Sequence, residues 1–411
     1  MLSFPAIDTL QPRFVDGLYL FKSDSTRLVK LDLLFEAGSA YQHKKLCASA
    51  AVKLCTMATT TMDSAAVAEF MDFRGILVET DSQVQQSQIT FYFLRDYAEE
   101  LMPIVRDMIT CPAFSAEDFE VWRKHRRQEI LSAEQKTSTI ARRNFYLNLF
   151  GPGHPLGRYA TVSDLDLLTI EDIRAFLQER YKPENMTVVL AGAIDDALIQ
   201  LVNDCIPRSS ISTIRPSLEI PPQVDSHFHI LHSAIDSATQ TSVRVGRILP
   251  IPWSGYDYVR FMLLTTVLGG YFGSRLMSNL REDKGYTYGI YSRTQIYRGV
   301  IVFFIAADVS GGKAEEAVRE VRFELQRLSD ELVTDEELDL VKMVMAGDFL
   351  RSVDGIFERS ARFCDMYATC VTEGLTENLK DALQMTTPSE LRDLAMRYLQ
   401  PDSMLVCTAG L

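Results

Sequence analysis

TIEDIRAFLQERYKPENMTVVLAG, residues 169–192, lies without a gap over TPSELRDLAMRYLQPDSMLVCTAG, residues 387–410, at a constant offset of 218. Thr169, Arg174, Pro183, Met186, Val188, Ala191 and Gly192 recur as Thr387, Arg392, Pro401, Met404, Val406, Ala409 and Gly410. Each copy reads as a Thr N-cap, a helix, a turn centred on Pro and an apolar strand. Upstream, FSAEDFEVWRKHRRQEI (114–130) and VTDEELDLVKMVMAGDF (333–349) form a second pair. Both open on a Ser or Thr cap with acidic residues in the first turn, where the helix dipole favours them. A unit of this length is a domain, not a solenoid repeat. The expectation is two copies of one fold, 1–210 and 225–411, with a linker at 211–224 inside the Pro- and Ser-rich PRSSISTIRPSLEIPPQ (207–223).

Within each copy strands and helices segregate. VKLDLLFEAGS (29–39) alternates as a strand, LVETDSQVQQSQITFYFL (77–94) reads as a strand pair, and helical periods fall near 44–57, 64–74, 96–110, 115–136 and 139–149. The second copy offers SVRVGRILP, a helix near 256–267, a strand pair in TYGIYSRTQIYRGVIVFFIAADV and helices from 313 onward. Consecutive strands with helices in separate runs predict an α+β fold, each domain a largely antiparallel sheet packed with helices.

Bulk numbers narrow the function. The 411 residues carry a formal charge of −13, with 47% hydrophobic and 24% charged residues. That is a globular composition, and its sign argues against nucleic acid or an anionic membrane surface as partner. MLSFPAIDTLQPRF (1–14) lacks a basic segment followed by an apolar one, and the seven cysteines show no C-x-x-C, so a reducing cytoplasmic location is expected.

The chemistry concentrates in LGGYFGSRLMSNLREDKGYTYGIYSR (268–293). An amphipathic helix ends near Arg281, Gly285 stops it and a strand bears Tyr288. A guanidinium and a phenol seven residues apart can grip a carbonyl or an oxyanion. The plainer alternative is a helix-end charge favoured by the dipole and a core tyrosine. HFHILH (227–232) puts His227 and His229 on one strand face, but no acid or cysteine sits at ligand spacing; His227, His229 and His232 read as strand residues. His154, in a Gly/Pro loop, reads as a turn residue.

FEAGS (35–39), GPGHPLGR (151–158), YKPENMTVVLAG (181–192), LGGYFGSRL (268–276) and LREDKGYTY (280–288) together resemble the pitrilysin/insulinase family of inverted-motif zinc peptidases, in its bacterial two-chain and mitochondrial-processing-peptidase branch. The resemblance spans nearly the whole chain. Active members carry H-x-x-E-H on the first long helix, where two His bind zinc and the Glu activates water, and a Glu on a later helix completes the site. Here Ser49, Val52 and Lys53 stand at the motif positions, and only the later carboxylate, Glu129, remains. The resemblance therefore implies no catalytic residue in this chain alone, no zinc, and a Lys53–Glu129 ion pair in place of the metal. It also implies that Arg281 and Tyr288 hold the substrate backbone, and that Gly269 and Gly270 form a cavity loop. The expected role is the noncatalytic, substrate-positioning subunit of a heterodimeric zinc endopeptidase. An H-x-x-E-H partner would bring the zinc and an extended peptide would be the substrate; the chain alone could form a homodimer. The alternatives are an inactive pseudopeptidase kept as a structural or peptide-binding protein and, more weakly, a hydrolase with a metal site built from HFHILH.

Overall fold

A computed structural model describes residues 10–208, 230–252, 255–371 and 374–411. The expected linker, 211–224, and His227 and His229 lie outside the described residues. The first half runs β1 (Arg13–Val15), β2 (Leu18–Lys22), β3 (Leu28–Phe35), α1 (Cys47–Leu54), α2 (Ser64–Arg74), β4 (Leu77–Ser82), β5 (Ser87–Leu94), α3 (Ala98–Thr110), α4 (Ala116–Glu134), α5 (Thr137–Phe150), α6 (Val162–Asp166), α7 (Ile170–Arg180), β6 (Met186–Gly192) and α8 (Asp196–Cys205). The second runs β7 (Ile230–Ala234), β8 (Gln240–Leu249), α9 (Tyr256–Gly269), a π-helical turn (Met277–Asp283), β9 (Thr287–Tyr297), β10 (Val300–Ser310), α10 (Ala314–Asp330), α11 (Asp335–Arg351), α12 (Ile356–Thr369), α13 (Leu375–Met385), α14 (Pro388–Tyr398) and β11 (Leu405–Gly410).

Two sheets result, ordered β1-β2-β6-β3-β5-β4 and β7-β11-β8-β10-β9. All pairings are antiparallel except β2 with β6 and β7 with β11. The fold is therefore the α+β, largely antiparallel one expected. No described helix is long and apolar enough to cross a membrane.

The quoted repeat sets matching parts of each half. Thr169 caps α7 and Thr387 caps α14, each in a reciprocal capping box with Asp172 or Glu390. Gly192 and Gly410 close β6 and β11 at φ +108° and +145°, and a Cβ there would sit 2.1 Å from Leu28 O and 2.6 Å from Gln240 O. Only glycine fits both the backbone angle and the gap. The first helix is shorter than its periodicity suggests, because Leu46 at its start takes a left-handed φ of 74°.

Each sheet has one face on its own half's core, around Leu31, Phe91 and Leu190 in the first and Val245, Phe303 and Val406 in the second. The opposite faces are covered by exchange. α5, from the first half, packs on β8 and β11, while α12, from the second, packs on β2 and β6. Phe145 and Phe150 of α5 meet Val302, Phe304 and Cys407; Phe363 and Cys364 of α12 meet Phe21, Leu34 and Val189. Arg298, at the β9–β10 turn and 1% exposed, adds a buried clasp: its Nη1 lies 2.7 Å from Glu36 Oε2 and its Nε donates to Ala368 O. Under α12, Lys30 Nζ lies 2.9 Å from Asp32 Oδ2 and donates to Ser360 Oγ at 3.3 Å. Asp32 Oδ1 also accepts from Gln88 and Thr90. Burial works to lower the Lys30 ammonium, but Asp32, with Cys364 and Tyr92, outweighs it and holds the pKa above its ordinary value.

Candidate functional site

The α1 positions that the resemblance assigns to a metal offer no metal ligands. On α1, the Ser49 hydroxyl donates to Leu46 O at 3.1 Å, Val52 is buried among apolar neighbours and Lys53 points to solvent. A hydroxyl spent on the backbone, an alkyl group and an ammonium do not suit zinc. Among the described residues no three His, Cys, Asp or Glu side chains gather as metal ligands.

The expected Lys53–Glu129 ion pair is not formed, and this corrects the sequence reading. Glu129, half exposed on α4, accepts from Arg126 Nη1 at 2.7 Å and lies 3.2 Å from His125 Nδ1. Those residues stand three and four positions earlier on the same helix, the spacing at which helical side chains meet. Lys53 is solvated and needs no partner.

Arg281 lies in the π-helical turn, a conformation often found at functional sites. The turn closes with Lys284 N–H donating to Asn279 O, and Gly285 at φ +64° redirects the chain into β9. The Arg281 guanidinium sits 4.5 Å over the ring of Phe272, itself 61% exposed. Tyr288 is 88% exposed near the start of β9. Among the described residues no hydrogen bond joins the two side chains, and no carboxylate lies within 4.0 Å of Arg281. Arg281 is half-buried and Tyr288 exposed. Gly269 is the last residue of α9 and Gly270 its cap, at the head of the loop 270–274. A Cβ on Gly269 would press to 2.7 Å from Ser292 N, so this glycine serves helix-on-strand packing.

Among the described residues β9 pairs only with β10, so its outer edge is open. Tyr288 lines a cleft of about 250 Å³ together with Arg244, Tyr291 and Asp308. That cleft shares Arg244 and Tyr291 with a cavity of about 760 Å³ enclosed by α4, α5, the 155–160 segment and the second sheet, and Glu129 is part of its wall. The two hollows thus adjoin at Arg244 and Tyr291, with Tyr288 lining one and Glu129 the other. His232 is a strand residue at the far edge of the sheet, with Nδ1 2.9 Å from Thr408 Oγ1. His154 caps the short helical turn at 155–157 through Leu156 N–H.

Sequence reasoning did not single out Arg244. In SVRVGRILP its alternation with Val243 and Val245 marks a solvent-facing strand position; only α5, arriving from the other half, buries it. Arg158, within GPGHPLGR, and Arg142 and Arg143 on α5 carried no motif signal.

Known proteins resemble this chain in sequence and in fold. A family profile described as the peptidase M16 inactive domain matches residues 167–345. An uncharacterized zinc protease of Streptomyces coelicolor is 25% identical over 260 residues, 61% of this chain and 56% of that protein, so the chain spans just over half of that relative. A non-peptidase homolog, YmxG, of Helicobacter pylori is 22% identical over 380 residues, 90% of this chain and 86% of that protein. The crystal structure of a peptidase M16 inactive domain from Pseudomonas fluorescens superposes with a TM-score of 0.84 at 21% identity, over 96% of this chain and 95% of that one.

Proposed function

We propose that this chain, which resembles the M16, or pitrilysin/insulinase, family of peptidases and its non-peptidase homologs, is a noncatalytic member that positions peptide substrate for a zinc-bearing partner of the same family. The observation that carries this reading is an asymmetry. Ser49, Val52 and Lys53 offer nothing to a metal, whereas the half-buried Arg281 and the exposed Tyr288 stand at the spacing that the family resemblance assigns to substrate contacts, with no hydrogen bond or ion pair to another side chain among the described residues.

Arg281 supplies a planar fork of N–H donors and Tyr288 one O–H, both suited to peptide carbonyls and to the charge that develops on one during attack. The open edge of β9 supports the same reading, since an extended peptide can add there as a further strand through backbone hydrogen bonds. Bond cleavage would rest with the partner's H-x-x-E-H site.

Mixing the purified chain with an H-x-x-E-H chain from the same source is expected to produce endopeptidase activity that neither shows alone. Arg281→Ala and Tyr288→Phe should each lower kcat/KM of the mixture by about 100-fold without changing the melting temperature. Undiminished activity in both variants would remove these residues from the site. Stoichiometric zinc in the purified chain alone would overturn the noncatalytic reading.

A further inference from the structure

The cavity beside Tyr288 carries a charge that its surroundings do not answer. Arg244 is 8% exposed, with its guanidinium 4.5 Å over the ring of Phe304. Among the described residues no carboxylate lies within 4.0 Å of it. Asp308, the acid diagonal to it across the β8–β10 pairing, is taken by the Ser242 hydroxyl. Tyr146 and Tyr291 face the guanidinium, and Tyr291 hydrogen-bonds to it; burial pushes the Tyr146 phenol above its ordinary value, so that hydroxyl is neutral and no counter-ion. A buried charge without a counter-ion is costly and is ordinarily avoided.

Around Arg244 the same cavity gathers Arg126, Arg142, Arg143 and Arg158 against only Glu129 and Glu134, in a chain whose net charge is −13. Arg126 already holds Glu129. Arg143 stacks at 4.4 Å on Tyr159, with its Nε buried and unbonded. Arg158 donates to Gly153 O, and Arg142 is exposed with no hydrogen bond or ion pair among the described residues. A volume of about 760 Å³ is in the range of sites for ligands the size of a few residues, far more than one small anion fills.

We propose that this cavity receives the carboxylate groups of an extended peptide lying along β9, with Arg244 at its floor. Tyr288, Tyr291 and Gln295 mark that path on the edge strand. A peptide added there directs alternate side chains toward the face bearing Arg244, where guanidinium forks match carboxylates two donors at a time. This rests on the reading that the chain holds peptide, and it names the substrate class as acidic.

The test is fluorescence anisotropy of the full chain with labelled ten-residue peptides carrying Glu at alternate positions, or Gln in their place, each as free acid and as C-terminal amide. The Glu peptides are expected to bind at least about tenfold tighter than the Gln peptides, with the difference shrinking in salt. If only amidation matters, the carboxylate is the chain terminus. Equal binding of all four overturns the acidic preference and leaves peptide holding intact. No binding by any overturns the inference, while the reconstituted-activity assay still judges the proposed function. Full displacement by inorganic phosphate at micromolar concentration would make the cavity a phosphate site instead. Arg142→Ala, on an exposed position, should weaken the Glu peptide about tenfold and leave the Gln peptide unchanged. Arg244→Met should do the same and raise the melting temperature of the empty protein. A lower melting temperature together with unaltered peptide preference in Arg142→Ala would give these arginines a structural role and overturn the proposal.

Discussion

Asp32 and Arg244 occupy the same station in the two halves. Asp32 stands opposite Val189 of β6 and Arg244 opposite Cys407 of β11, and Val189 and Cys407 are partners in the 218-residue repeat. Both stations lie beneath a helix borrowed from the other half. Under α12 the charge is balanced, because Lys30, two residues earlier on the same strand face, meets Asp32 at 2.9 Å. Under α5 the equivalent of Lys30 is Ser242, which is spent on Asp308, and Arg244 opens onto a cavity. One helix closes its sheet and the other leaves it charged and accessible. The difference separates a closed, charge-balanced interface from one that opens onto the proposed peptide cavity, and no motif in either strand distinguishes them.

The sharpest way to break this comparison is to unbalance the closed side. Lys30→Met leaves Asp32 buried without its counter-ion and should cost about 4 kcal/mol in urea unfolding. Lys30→Met combined with Asp32→Leu should recover most of it, since a well-packed apolar pair replaces a buried ion pair at little cost. A single variant as stable as the wild type would mean that the pair is not needed under α12 and that the contrast with Arg244 has no energetic content.

A smaller effect tests the exchange itself. Phe145 is fully buried where α5 meets the second sheet. Phe145→Ala should cost about 3 kcal/mol through lost burial and the cavity left behind. An unchanged urea midpoint would show that α5 does not hold that sheet.

The legible part of the molecule was local. The capping pairs Thr169–Asp172 and Thr387–Glu390 declare their helices within four residues, and the repeat they belong to exposes the doubled fold. Arg281, Gly285 and Tyr288 were readable because a helix stop and a strand start are written in adjacent residues. What escaped was whatever depends on an element from the other half. Arg244 looks solvated until α5 covers it. Glu129 looked free for Lys53 because the competition from His125 and Arg126 was not weighed, although RKHRRQEI (123–130) places both within one turn of it. Balance of charge is a property of the assembled interface, and alternation along a strand carries only half of that information.

The smallest prediction sets the two repeats against each other at their caps. Asp172 accepts from Thr169 N–H and from Lys44 Nζ, the latter at 2.7 Å; Glu390 accepts from Thr387 N–H and from Arg260 Nη2, the latter at 2.6 Å. Burial works to raise Asp172, but Lys44 and Thr169 prevail and hold its pKa below the ordinary value; the Thr387 backbone is the leading influence that lowers Glu390. A carboxylate depressed on folding contributes stability that is full above its unfolded pKa, near 4, and is lost as pH falls through the folded one. Thr169→Ala and Thr387→Ala should therefore each cost about 1 kcal/mol at pH 7, and both costs should shrink in urea melts at pH 3. Equal losses at pH 7 would mean that the two halves diverged at their open faces and kept their helix starts alike. A cap that matters in one half only would place the divergence deeper than the interface beneath α5.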